Sequence, residues 1–175
     1  MIIKVETLTS MDEFKGKNIE ILSMKLDAIE NLIRSYTNNN FQNRIVRMVT
    51  PIIEGKILGR NIYMKIDDTV QISQSLVNDG LFVITEIEEN AIILKGELYD
   101  SPVNTITKVV YPPDVKKGVI DMMVWEQENR NKVGIKSESI SRHSVTYYDQ
   151  DANNQVMGYP VSLLGFLKPY MKARF

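Results

Sequence analysis

The stretch KVGIKSESISRHSVTYYDQ, residues 132–150, contains the only histidine of the chain, His143, close to Ser141 and Ser144. A serine, a histidine and an orienting carboxylate that converge in a pocket can form a nucleophilic triad. Neighbouring residues of an extended segment point to alternate faces, however, and the chain has no G-x-S-x-G elbow. We therefore predict no catalytic residue, and a small hydrolase that uses His143 and the nearby serines remains an alternative.

Metal-binding and cofactor-binding patterns are also weak in this sequence. The chain has no cysteine, which removes thiolate nucleophiles, disulfides and cysteine metal ligands. The run DQDANN, residues 149–154, lacks the glycine and the terminal glutamate of a calcium loop. No phosphate-binding glycine motif occurs. The remaining acidic clusters are interpreted as solvated side chains: Asp67, Asp68, Glu86, Glu88 and Glu89. We predict neither a metal site nor a cofactor.

Composition limits the function classes further. The 175 residues are 43% hydrophobic and 25% charged, as in an ordinary globular protein of one domain with room for a small insert. A formal net charge of −1 argues against a general affinity for nucleic acid or anionic lipid. No apolar stretch has the length of a signal peptide or a membrane span. We expect a protein of the cytoplasm in which it is made, without a membrane partner.

The C-terminal sequence KPYMKARF combines cations with apolar side chains. Aromatic residues, methionine and arginine are enriched in protein interfaces. A docking peptide is therefore the favoured interpretation, and a frayed chain end is the alternative.

Hydrophobic periodicity predicts the elements that carry these segments. A spacing of three and four indicates a helix from Lys17 to Asn38, preceded by a short helix with Thr9 or Ser10 as its N-cap. From Phe41 to about Val110 the period changes to two, with alternation at Ile62, Met64 and Ile66 and a tight-turn signal at Asn78–Gly80. Helix returns at 113–129, and a last short helix is expected from Pro160 until Pro169 ends it.

These elements predict an α+β fold in which a helical-bundle core, 1–43 and 109–175, is interrupted by a small antiparallel β-barrel-like domain, 44–108. The core carries a long arm or hairpin, 132–157, and an extended C-terminal tail, 168–175. The two long helices should pack together because they flank the insertion. A nucleic-acid-binding module on the β insertion is a second alternative, with Tyr63 and Phe82 as its aromatic residues.

Three segments resemble a known family: VVYPPDVKKGVIDMMVWE, KVGIKSESISRHSVTYYD and GYPVSLLGFLKPYMKARF. They are similar to the head–tail connector (adaptor) proteins of long-tailed bacteriophages and prophages of Gram-positive hosts. The likeness covers most of the chain and is strongest from Val110 to Phe175. The β insertion is larger than in the simplest, all-helical members.

This resemblance implies a non-enzymatic virion protein of the neck, present in the host cytoplasm during assembly. Family members form a ring, typically dodecameric, beneath the portal protein, extend the DNA channel and offer a surface to the stopper. DNA passes through without specific recognition. The portal-docking tail would comprise Lys168, Pro169, Tyr170, Met171, Lys172, Arg174 and Phe175. The arm that contacts neighbouring subunits or the stopper would comprise Lys136, Ser137, Glu138, Ser139, Ile140, Arg142, His143 and Tyr147.

Overall fold

The computed structural model describes residues 2–130, 137–140, 143–146 and 155–173. The chain divides into two compact units. The barrel unit comprises residues 1–2 and 39–111, and the helical unit comprises residues 3–38 and 112–175. The fold is mixed α+β with a closed antiparallel barrel, which confirms the predicted class and the barrel-like character of the insertion.

Six strands form the barrel: β1 (Gln42–Ile53), β2 (Lys56–Leu58), β3 (Thr69–Ser73), β4 (Gly80–Ile87), β5 (Ala91–Leu94) and β6 (Ser101–Val109). They close it in the order β1-β2-β5-β4-β3-β6, and every neighbouring pair is antiparallel. Gln42 pairs with Val109, so the chain enters and leaves the barrel at the same end. Pro51 lies inside β1, at a register shift where the ladder requires no hydrogen bond from the N–H that proline lacks.

β-Branched and aliphatic side chains fill the barrel. Alternate residues of the strands point inward, which brings the side chains of Ile52, Ile72 and Ile106 into one cluster with no exposed surface. Closure of the barrel leaves no unpaired strand edge, so the sheet needs no cover from another element.

Two predictions about the barrel connections were wrong. The alternation at Ile62, Met64 and Ile66 is not a strand, since residues 59–68 form a loop that crosses from β2 to β3 with only Met64 buried. The Asn78–Gly80 signal is not a two-residue turn. The connection of β3 to β4 spans residues 74–79 and places Gln74 and Leu76 at positive φ.

The helical unit contains α1 (Val5–Thr9), α2 (Ile19–Thr37) and α3 (Pro113–Asn129). The side chain of Asn18 accepts hydrogen bonds from the main-chain N–H groups of Glu20 and Ile21, which caps α2. Asn38 ends α2 in the left-handed conformation, as predicted. α2 contacts α3, in agreement with the expected pairing of the helices that flank the insertion.

The predicted N-cap at Thr9 or Ser10 was wrong, because α1 ends at Thr9 and Met11 precedes a single 3-10 turn, Asp12–Phe14. Both hydroxyl groups instead donate to main-chain carbonyls one turn back, at Glu6 and Thr7. Such bonds close a helix C-terminus rather than opening a new helix.

Beyond α3 the described residues include two short antiparallel hairpins. β7 (Ser137–Ile140) pairs with β8 (His143–Thr146), and β9 (Gln155–Val156) pairs with β10 (Tyr159–Pro160). Met157 and Gly158 both have positive φ, the geometry of a two-residue type I′ turn. A C-terminal 3-10 helix, Val161–Tyr170, follows directly.

Candidate docking surfaces

The sequence predicted that the C-terminal segment lies beyond the last helix, and this prediction was wrong. Lys168, Pro169 and Tyr170 form the last turn of the C-terminal 3-10 helix. Pro169 does not end this helix because its fixed φ is compatible with 3-10 geometry, and its missing N–H costs one bond only. The buried side chains of Leu164 and Leu167 anchor the same helix.

Hydrogen bonds to its own main chain hold the end of this segment on the C-terminus of α2. The N–H of Lys172 donates to the carbonyl of Thr37 at 2.8 Å, and the side chain of Asn38 donates to the carbonyl of Ala173 at 2.7 Å. Thr37 is in the last turn of α2, where carbonyls lack partners within the helix. The segment therefore completes α2 with its backbone and does not use its side chains for this contact.

Tyr170 ties the segment to α3 as well. Its hydroxyl lies 2.8 and 2.7 Å from the two carboxylate oxygens of Asp114, in the first turn of α3. The hydrogen bond to Asp114 raises the pKa of Tyr170 above its usual range, with smaller contributions from desolvation and the negative charge. This contact orients the tyrosine ring and leaves its neighbours free to face solvent.

The side chains on either side of Tyr170 are exposed. They belong to Lys168, Pro169, Met171 and Lys172. Arg174 and Phe175 lie outside the described residues. The segment thus presents two cations and a methionine on a backbone that is already fixed, so little conformational entropy remains to be lost on docking.

The predicted arm residues fall only partly within the described chain. Ser137, Glu138, Ser139 and Ile140 form β7, and His143 begins β8 opposite Ile140. The β7–β8 pairing brings Ile140 opposite His143, and the polar run 149–154 lies outside the described residues. Three further predicted arm residues lie outside them as well: Lys136, Arg142 and Tyr147.

A polar cluster that the sequence did not reveal joins α2, α3 and the β9–β10 hairpin. The carboxylate of Glu126 accepts a hydrogen bond from the hydroxyl of Tyr159 and lies 3.2 Å from the ammonium of Lys25. Arg130 stacks over the Tyr159 ring at 5.4 Å and donates to the carbonyl of Gly158. Burial of Tyr159, together with its hydrogen bond to Glu126, raises the pKa of the phenol well above its usual range.

This cluster borders a groove of about 350 Å³. Its apolar side chains include Ala28 and Leu32 of α2 and Met157 of the hairpin turn. Sequence reasoning could not find the cluster because its members are separated by up to 134 positions along the chain, from Lys25 to Tyr159. Spacing within one element carries no information on such a contact.

The carboxylates and aromatic residues singled out in the barrel have mostly structural roles. Asp68 pairs with Lys108, and Glu88 pairs with Lys56, each at 2.6 Å. Phe82 packs against the barrel core, so it does not offer an open face to a base, whereas Tyr63 is exposed. Within the described part of the chain, no group of three or more histidine, aspartate or glutamate side chains is placed to hold a metal ion.

No helix among the described residues is long and apolar enough to cross a bilayer. A scan against protein-family models gives no match, and a search of curated proteins gives no match either.

Proposed function

We propose that this chain is a structural head–tail connector (adaptor) of a long-tailed bacteriophage, without enzymatic activity. Copies of it would form a ring beneath the portal protein, extend the DNA channel and provide the attachment surface for the stopper. The helical unit, 3–38 and 112–175, would be the helical-bundle connector core. The 137–146 hairpin would act as the arm that contacts neighbouring copies or the stopper.

One observation carries the proposal: the C-terminal segment is fixed by its backbone and by Tyr170, while Lys168, Met171 and Lys172 point to solvent. A segment held in this way has no structural use for those three side chains. Cations beside a methionine suit a partner surface that is acidic and partly apolar. This segment also lies in the part of the sequence that most resembles the connector family.

Repetition would make such a small contact sufficient. A ring places many identical segments against one partner, and each bound segment raises the effective concentration of the next. A cyclic assembly also needs a heterologous interface, in which one face of a copy meets a different face of its neighbour. A lumen that DNA traverses favours scattered polar groups, which agrees with the net charge of −1.

The test replaces the exposed side chains and leaves the backbone contacts in place. A variant with Lys168→Glu, Met171→Ser and Lys172→Glu should fold normally and lose attachment to portal-bearing capsids by at least about tenfold. The matched control carries Lys17→Glu, Met24→Ser and Lys116→Glu, which are exposed positions of the same unit. Co-sedimentation with capsids and electron microscopy of their necks measure attachment.

Attachment of the first variant at the wild-type level would refute the docking role of the segment. Turnover of a small molecule that is abolished by His143→Ala would instead support the hydrolase alternative. DNA binding by the whole chain that weakens steeply with salt and is lost on Tyr63→Ala would support the nucleic-acid alternative.

A further inference from the structure

The loop that crosses from β2 to β3, residues 59–68, presents apolar side chains on a rigid frame. Met64 anchors it in the barrel core. The N–H of Tyr63 donates to the side chain of Asn61, and the N–H of Lys65 donates to the carboxylate of Asp68. Lys108 donates to the carbonyl of Tyr63. The loop is fixed, yet three of its large apolar side chains are exposed: Ile62, Tyr63 and Ile66.

The opposite end of the barrel has the same combination of rigidity and exposure. Asn78 is buried and makes hydrogen bonds to both the N–H and the carbonyl of Tyr99. The N–H of Ser75 donates to Asp79. Between these ties, Leu76 is 99% exposed at a φ of 69°, a conformation that leucine rarely adopts. Val77, the next residue, is also exposed, and so is Tyr99, which the Asn78 bonds hold nearby.

The crossing loop and the connections at the Leu76 end differ in charge. We call the connections at the Leu76 end the acidic rim, because they carry one exposed cation, Lys95, and four exposed acids: Glu54, Asp79, Glu97 and Asp100. In the crossing loop the exposed charges are Arg60, Lys65 and Asp67, while Asp68 is paired with Lys108. With two exposed cations against one exposed acid, and with three apolar side chains, the crossing loop is complementary to the rim.

Within one copy, the crossing loop does not contact the acidic rim. β3 runs from the end of the crossing loop to the start of the 74–79 loop, so the two surfaces lie at opposite ends of one strand. Five residues of strand separate them by about 17 Å. Each surface therefore needs a second molecule.

We propose that the crossing loop of one copy docks onto the acidic rim of a second copy, so that the barrels of neighbouring copies contact each other end to end. Tyr63 and Leu76 are the central apolar anchors, and Arg60 and Lys65 face the rim carboxylates. The contact is heterologous and repeats from copy to copy, which closes a ring or extends a filament. Closure into a ring rests on the connector function proposed above, whereas the barrel contact does not.

The first experiment measures self-association of the full chain by sedimentation velocity over a wide concentration range. We expect reversible association that weakens at high salt. Leu76→Asp and Ile62→Asp should each weaken it by at least about tenfold. Met24→Asp, at an exposed position of α2, should leave it unchanged. A chain that stays monomeric at its highest soluble concentration, or an association that Leu76→Asp does not affect, overturns the proposal.

The second experiment tests which two surfaces meet. Lys65→Glu and Glu97→Lys should each weaken association about three- to fivefold. An equimolar mixture of the two variants should recover it, because the substituted loop of one variant attracts the substituted rim of the other. A mixture that associates no better than either variant alone refutes the pairing.

Disulfide trapping gives an independent readout, since the natural chain has no cysteine. A mixture of Leu76→Cys and Ile62→Cys chains should cross-link about tenfold faster than a mixture of Leu76→Cys and Met24→Cys chains. Equal rates overturn the proposal. None of these three experiments uses capsids. Normal capsid attachment without barrel association refutes only this inference, and barrel association without capsid attachment refutes only the connector proposal.

Discussion

The barrel unit and the helical unit are stabilised over very different lengths of chain. Polar side chains of the barrel make bonds such as those of Asn78 to Tyr99 and of Asn104 to Thr50, which are 21 and 54 positions apart. The helical unit joins Asn38 to Ala173, 135 positions apart. The barrel strands therefore pair with one another between residues 42 and 109, whereas the helical unit joins α2 to the C-terminal segment.

The two units also use their polar and small residues differently. In the barrel, buried amides and hydroxyls fix the connections and leave the loop tips exposed. In the helical unit, Gly118 of α3 gives the Phe166 ring a place to pack against the helix backbone. Substitutions at these positions should therefore act through lost hydrogen bonds in one unit and through steric overlap in the other.

The largest effect is expected for Asn104→Ala in the barrel. The Asn104 amide donates to the carbonyls of Thr50 and Ser101 and accepts from the Ser101 hydroxyl, with no exposed surface. Loss of these bonds leaves buried polar groups without partners, at a cost of about 3 kcal/mol in the free energy of unfolding. Hydrogen exchange of the β1 and β6 amides measures it. Asn90→Ala, at an exposed turn, should change exchange little; equal effects of the two substitutions would contradict the role of the network.

A smaller loss is expected for Gly118→Ala in the helical unit. Alanine favours a helix over glycine by roughly 0.5–1 kcal/mol. A Cβ atom at position 118 would, however, lie 2.3 Å from the Phe166 ring, so the ring must move. We expect a net destabilisation of about 1–2 kcal/mol.

The matched control for this substitution is Gly165→Ala in the C-terminal 3-10 helix, where an added Cβ meets nothing within 4 Å. Urea unfolding followed by the fluorescence of Trp125, the only tryptophan, measures both variants. A stabilised Gly118→Ala protein would mean that Phe166 does not need the space above the α3 backbone.

The elements that could be predicted from the sequence are those whose signal is local. The α2 helix lies within one or two residues of its predicted ends, because its apolar period and the asparagine at its C-terminus act over a few residues. The prolines before α3 placed its start correctly for the same reason.

The predictions failed where a side chain overrides the local pattern. In the crossing loop, Asn61 and Asp68 accept main-chain hydrogen bonds and form turns, so the alternation at Ile62, Met64 and Ile66 has no strand beneath it. The Lys25–Glu126–Tyr159 cluster could not be predicted for another reason: it depends on tertiary contacts that no periodicity encodes.

The smallest expected effect is a pH dependence of stability that differs between the two units. Because the folded-state pKa of Tyr159 is raised, its stabilising contribution is complete below the unfolded pKa of about 10 and is lost as the pH rises above it. The phenol ionises in the unfolded chain first. Between pH 9 and pH 11, wild type should lose about 1 kcal/mol more stability than Tyr159→Phe.

Trp125 fluorescence reads this difference in the helical unit, since its ring lies 5.5 Å from the Tyr159 ring. Amide exchange of the β1 and β6 strands reads the stability of the barrel separately. If the two proteins lost the same stability over this pH range, the Tyr159–Glu126 contact would not hold the phenol proton. A loss confined to the helical unit would mean instead that alkaline pH weakens the contact between α3 and the β9–β10 hairpin and leaves the barrel intact.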